Sequence, residues 1–134
     1  MAYTIEIQVR FRDADAYGHV NNAVFFTYME TARFSFLKEQ FVNLMKSGIT
    51  FLVAKSECEY KQPISLSDKV LIDVVTEKIG KSSFTLGYRI HDGNGKAYAY
   101  GKSVLVAYDT NKKSTIPIPD EFLRVLKTSV GSFT

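Results

Sequence analysis

VRFRDADAYGHVNNAVFFTYMETAR, Val9 to Arg33, holds a strand end, a polar loop and a helix start in one run. Upstream, residues 3–12 set Ile5, Ile7, Val9 and Phe11 against Glu6, Gln8, Arg10 and Arg12. That period of two predicts a half-buried strand over 3–12. The next ten residues, DADAYGHVNN, are rich in Asp, Asn and Gly and read as a loop. Asn21 or Asn22 offers a side-chain oxygen to cap a following helix. The helix is expected over about 23–45. Thr27, Thr31, Ser35 and Lys38 recur on one side, while Phe25, Met29, Ala32, Phe36 and Leu37 fill much of the rest. An apolar arc this wide implies structure on most sides of the helix. Glu30 and Arg33 are spaced for a local ion pair. Gly48 suits the helix end.

Downstream the period returns to two. Strands are expected at 51–61, closed by Pro63, then at 69–79, 83–91 and 97–108. Val70, Ile72 and Val74 fall on one face of the second, with Leu71, Asp73 and Val75 on the other. Phe84, Leu86, Tyr88 and Ile90 alternate with Thr85, Gly87, Arg89 and His91 in the third. Asp92-Gly93-Asn94-Gly95 is a strong hairpin turn. Gly101 marks a bend or a close approach in the last strand. Pro117 and Pro119 close the sheet region, and 120–126 reads as a short helix. One long helix followed by an antiparallel meander is an α+β layout.

The chain has 134 residues, enough for one domain spanning 1–134 with its own core. Hydrophobic residues make up 46% and charged residues 23%, with ten Phe and eight Tyr, so a core, an interface or a ligand groove has aromatic material to draw on. A net charge of +3 with no dense basic stripe argues against nucleic acid and suits an anionic small molecule. Cys58 is the lone cysteine, so there is no disulfide and no Cys-based metal set. Flanked by Glu57 and Glu59, it is not set up as a thiolate. No basic n-region with an apolar run opens the chain, and no stretch is long enough to span a bilayer. The expected setting is cytoplasmic, with no membrane association.

Asp13 and Asp15 precede a helix N-terminus, where backbone N–H groups lack intrahelical partners and the macrodipole is positive. That end can hold an anion or polarise a carbonyl. A carboxylate beside it can attack the polarised carbon or activate a water, which is the minimum set for acyl transfer. Taken alone, Asp-x-Asp before a helix is more often a turn and a cap than a catalytic pair. His19 at a helix start is more often packed than catalytic. With only His19 and the distant His91, no metal-ligand spacing stands out. No Gly-x-Ser-x-Gly is present.

The segment Asp13-Ala14-Asp15-Ala16-Tyr17-Gly18-His19-Val20-Asn21-Asn22 resembles the Asp-x-Asp-x-x-Gly-His-Val-Asn-Asn signature of the 4-hydroxybenzoyl-CoA thioesterase-like group of hotdog-fold proteins. Tyr28-Met29-Glu30-Thr31-Ala32-Arg33 continues the likeness, which runs to about Tyr108. It implies a hotdog fold: a five-stranded antiparallel sheet wrapped around one long central helix. It also implies an acyl-CoA thioesterase, hydrolysing a thioester to free acid and coenzyme A. Asp15 falls on the family's catalytic carboxylate, nucleophile or general base. Asn22 falls where a backbone N–H polarises the thioester carbonyl. Gly18 would allow close approach of the acyl group, and His19 would shape the loop or contact substrate. Asp13 would be structural.

The turn Lys78–Phe84 is similar to a family segment lying along coenzyme A, which gives Lys81, Ser82 and Ser83 as contacts. Gly-Lys-Ser between strands is also an ordinary turn. Lys61 and Arg89 are further cations without motif support. No metal and no organic cofactor is expected, coenzyme A being part of substrate and product. The resemblance also implies homodimers joined sheet edge to sheet edge, or homotetramers, with the site at the subunit interface. Alternatives are a thioesterase acting on acyl carrier protein, a dehydratase (for which Glu30 is not obviously placed) and a non-catalytic acyl-CoA binder.

Overall fold

The computed structural model describes residues 2–133. Strand β1 is Tyr3–Ile7, and a single 3₁₀ turn follows at Phe11–Asp13. Helix α1 is Val24–Met45, and the meander consists of β2 Ile49–Tyr60, β3 Val70–Ile79, β4 Ser83–His91 and β5 Ala97–Asp109. A short β6, Ser114–Thr115, pairs back on β5, and α2 is Asp120–Lys127. The sheet order is β1-β3-β4-β5-β2, and every pairing between these strands is antiparallel.

The inner face of the sheet closes on α1. Val70, Ile72 and Val74 of β3 are fully buried, as are Leu86, Tyr88 and Ile90 of β4, with Phe84 nearly so. Phe25, Tyr28, Met29, Ala32, Phe36 and Leu37 of α1 meet them. Burying each large apolar side chain contributes about 1.5–3 kcal/mol, so this seam dominates the stability. Gly101 is a close-approach point: a Cβ there would collide with the Met29 sulfur and lie 3.1 Å from the Glu57 carbonyl. Helix α2 seals one end, with Phe122 edge-on to Phe51 at 4.2 Å and Phe51 edge-on to Phe84 at 5.1 Å. This is the hotdog arrangement expected from the sequence.

Four expectations need correction. Strand β1 stops at Ile7 rather than residue 12, because β3 begins at Val70, the partner of Ile7. With no strand beyond that point to pair with, the chain coils and leaves Phe11 87% exposed. The sheet has six strands rather than five, the sixth being the two-residue β6. Neither Asn21 nor Asn22 is the helix cap. Ala23 holds that position, and the Asn21 side chain instead accepts the Ala23 N–H at 2.9 Å, one residue before the helix. Finally, α1 is covered on one side only, since Phe26, Phe34, Val42 and Met45 remain exposed.

The sheet edges differ. β1 is five residues long, and along β3 beyond Val74, the partner of Tyr3, the chain's own tail takes over: Thr76 N–H donates to Ser129 and Gly131 N–H donates to Thr76. β2 is twelve residues long and among the described residues pairs with β5 alone, with Leu52 and Val53 about half exposed. No helix among the described residues is long and apolar enough to cross a membrane.

Candidate active site

The loop from Arg10 to Asn22 is fixed mainly by its backbone. Asp15 N–H donates to the His19 carbonyl at 2.9 Å, and Gly18 N–H returns to the Asp15 carbonyl at 3.0 Å. Val20 N–H donates to Ile64 and Asn21 N–H to Asp13, both at 2.8 Å. His19 also bridges to Ser65, which shelves the loop on the chain between β2 and β3. Gly18 sits at φ +80°, where other residues are strained, while the space around it is open. The turn itself therefore requires glycine here.

Asp13 and Asp15, two residues apart, have separate environments. Asp13 is 3% exposed. One of its carboxylate oxygens accepts the Tyr28 hydroxyl at 2.7 Å and the Arg10 N–H at 2.9 Å. The Arg10 guanidinium stands 3.6 Å from the other. Burial opposes ionisation of Asp13, but the Arg10 N–H, the Tyr28 hydroxyl and the Arg10 and Arg12 charges outweigh it and hold the carboxyl below its ordinary range. The same contact, with burial first, pushes the Tyr28 phenol well above its usual value. Asp13 is thus a structural anchor joining loop to helix.

Asp15 is half-buried and takes one hydrogen bond, from the Tyr17 N–H at 2.9 Å. That bond orients the carboxylate and leaves lone pairs open. Seven residues on, Asn22 lies just before α1, and its carbonyl accepts the Tyr60 hydroxyl of β2 at 2.7 Å. Among the described residues nothing accepts from the Asn22 N–H. An oriented carboxylate and a free N–H at a helix start are the elements of attack and oxyanion stabilisation. His19 is exposed beside them.

The turn carrying Lys81, Ser82 and Ser83 is not brought to this loop within one chain. The loop lies at the Val70 end of β3 and the turn beyond its Ile79 end, so the two are separated by about 30 Å of strand. Ile118 N–H donates to the Lys81 carbonyl and Ala107 N–H to that of Ser82, which pins the backbone. The Lys81 side chain is exposed, and no carboxylate among the described residues pairs with it. Lys61 and Arg89 are already engaged, with Glu59 at 2.6 Å and Asp73 at 3.8 Å. Burial pushes the Cys58 thiol up to about 11, so it is protonated at neutral pH. No group of three or more potential metal-ligating side chains occurs among the described residues.

Sequence reasoning missed Tyr28 and Tyr60. Tyr28 could have been found from its place one turn before Ala32 on the buried arc. Tyr60 acts across β2 and α1, and no local pattern announces it.

The sequence profile of the thioesterase-like superfamily matches residues 9–126. The chain is 31% identical to Bacillus subtilis YsmA over 87% of this chain and 79% of that one. It is 27% identical to the long-chain acyl-CoA thioesterase FadM of Escherichia coli K12, over 93% of this chain and 97% of FadM. Its fold is similar to that of a Thermus thermophilus thioesterase solved with coenzyme A and Zn. There the TM-score is 0.81 and the identity 35%, covering 93% of this chain and 91% of that one.

Proposed function

Because the chain belongs to the thioesterase-like superfamily, we propose that it hydrolyses acyl-CoA thioesters with Asp15 as the reacting carboxylate. The observation that carries this reading is the division of labour in the loop: Asp13 is consumed by Tyr28 and Arg10, while Asp15 is oriented and open.

The thioester carbonyl oxygen sits toward the Asn22 N–H and the α1 N-terminus. As negative charge builds on that oxygen, the N–H and the helix dipole stabilise it. In one course Asp15 adds to the carbonyl carbon, the C–S bond breaks and coenzyme A leaves as the thiolate. Water then cleaves the acyl anhydride. In the other, Asp15 takes a proton from water, the resulting hydroxide adds, and the tetrahedral adduct expels the thiolate. Both courses yield the free acid and coenzyme A. His19 and Gly18 shape the entrance.

Coenzyme A is contacted by Lys81, Ser82 and Ser83, with Lys81 meeting phosphate as a flexible point charge. These residues reach an Asp15 site only across two subunits. An unpaired twelve-residue edge strand is a template for self-pairing, and the exposed apolar residues of α1 beside it add area to bury. Antiparallel pairing of β2 with its copy sets the Tyr60 end of one chain against the Ile49 end of the other. The Asp15 loop of one chain then faces the Lys81 turn of its partner. The working unit is a homodimer, alone or paired into a tetramer.

The test is hydrolysis of a panel of acyl-CoAs by wild type and Asp15→Asn. The variant is expected to lose about a thousandfold or more in kcat with the oligomer intact. Near-wild-type turnover by Asp15→Asn would falsify this role.

A further inference from the structure

Helix α1 opens on a peptide unit that side chains hold at both ends. The unit joining Asn22 to Ala23 offers its carbonyl to the Tyr60 hydroxyl at 2.7 Å and its N–H to the Asn21 Oδ1 at 2.9 Å. A regular helix would supply the donor for that carbonyl from Phe26, four residues on. Phe26 N–H goes to the Ala23 carbonyl at 3.2 Å instead, so the Tyr60 phenol stands in for a helical bond. The preceding peptide units are fixed as well, since Asn21 N–H donates to Asp13 at 2.8 Å and the Asn21 carbonyl accepts from Val24 at 2.9 Å. Between these contacts, among the described residues, the Asn22 N–H is left without an acceptor. Tyr60 is the last residue of β2, opposite Ala99 of β5, and its ring meets the buried Phe25 edge-on at 4.9 Å. Partial burial, and then the neighbouring Cys58 thiol, pushes the Tyr60 phenol up, which keeps it protonated and able to donate at neutral pH.

We propose that Tyr60 and Asn21 are positioning residues, which aim the Asn22 N–H at the thioester oxygen by clamping the peptide unit that follows it. The inference rests on the hydrolase reading above and adds two residues to its machinery, neither of which touches the reacting atoms. An oxyanion donor stabilises charge fully only if it already points where the charge will form, because reorientation during the reaction costs part of what the bond returns. Peptide planes are rigid, so only φ and ψ of Asn22 lie between its N–H and its carbonyl. Holding the carbonyl's plane from the sheet, while the Val24 bond holds the plane before it, therefore fixes the direction of the N–H. Without the phenol, the Asn22 carbonyl is free to recruit the Phe26 N–H, which extends α1 by one residue and turns the Asn22 N–H with it.

The experiment compares wild type, Tyr60→Phe and Asn21→Ala, each as the full chain, on the best substrate of the acyl-CoA panel. Tyr60→Phe removes one oxygen and keeps the ring on Phe25. It is expected to lower kcat about tenfold, the effect of one net hydrogen bond, with KM within about twofold of wild type. Asn21→Ala should act in the same direction. The double variant should lose less than the product of the two single losses, because both side chains hold one peptide unit. A merely structural role would lower Tm and leave kcat of the folded enzyme unchanged, and that result overturns the clamp. A second readout is independent of turnover: isotope-edited infrared spectroscopy of a bound acyl-CoA ketone, in which methylene replaces the thioester sulfur. Its carbonyl stretch should fall on binding to wild type, relative to a solvent without hydrogen-bond donors, and fall by less in Tyr60→Phe. Equal shifts in the two proteins, or a ketone that wild type does not bind or polarise, overturn the clamp and leave Asp15 to its own test. If wild type turns over no acyl-CoA, the hydrolase reading falls and the infrared shift alone decides the role of Tyr60.

Discussion

The two halves of the Arg10–Asn22 loop carry the same acidic side chain and use it in opposite ways. In the first half the Asp13 carboxylate is buried and saturated by a phenol, a backbone N–H and a guanidinium. In the second half the Asp15 carboxylate is half-buried with one backbone donor. The first is fixed by tertiary contacts reaching from α1. The second is fixed by a local turn and left available. A loop can be rigid enough to orient a reactive group only if another part of it is spent on anchoring.

The contrast can be broken by exchanging the roles. Asp15→Asn, already expected to remove turnover, should leave Tm within about 2 °C, because the turn rests on backbone bonds. Asp13→Asn should do the reverse in thermal unfolding. It places an amide where Tyr28 and Arg10 need an acceptor, at about 3 kcal/mol and about 10 °C in Tm. If Asp15→Asn proves the more destabilising, the assignments are inverted.

The pH dependence sharpens the point. The native carboxyl of Asp13 titrates below its unfolded value, so its stabilisation is fully present above the unfolded pKa, about 4. It is lost as pH falls through the lower native value. Wild type should therefore lose stability more steeply than Asp13→Asn in acid titrations below about pH 4, and equal slopes would remove Asp13 as the anchor.

Tyr28→Phe deletes only one of Asp13's partners. A loss of about 1–2 kcal/mol is expected in urea unfolding, smaller than for Asp13→Asn. A neutral result would mean that the Arg10 contacts suffice.

The smallest effect belongs to the far end of the sheet. Lys81→Ala should raise KM for an acyl-CoA about threefold to tenfold and leave a short thioester without the nucleotide unchanged, since one exposed cation meets one phosphate. Equal effects on both substrates would take Lys81 out of the phosphate site.

Much of this architecture was legible. Period-two runs at Val70–Val74 and Phe84–Ile90 placed two central strands and their inner faces, because both strands are paired on each side and pack on one helix. The helix was legible from Phe25 to Leu37 for the same reason. The alternation at Val9 and Phe11 misled because a strand needs a partner, and β3 offers none past Val70. β2 was placed as a strand, but its position at the edge was not legible, since edge status depends on what the rest of the sheet leaves uncovered.

The sequence by itself determined the order of elements and, through a ten-residue motif, the loop and the aspartate to which the proposed chemistry is assigned. These are local matters, written in side-chain period and turn composition. Only the tertiary structure decided how each aspartate is used. Asp13 is taken out of play by Tyr28, fifteen residues away on another element. Asp15 stays open because, among the described residues, only the Tyr17 N–H meets its carboxylate. Availability of a group is what remains after every other contact has formed, and no window of sequence contains those contacts.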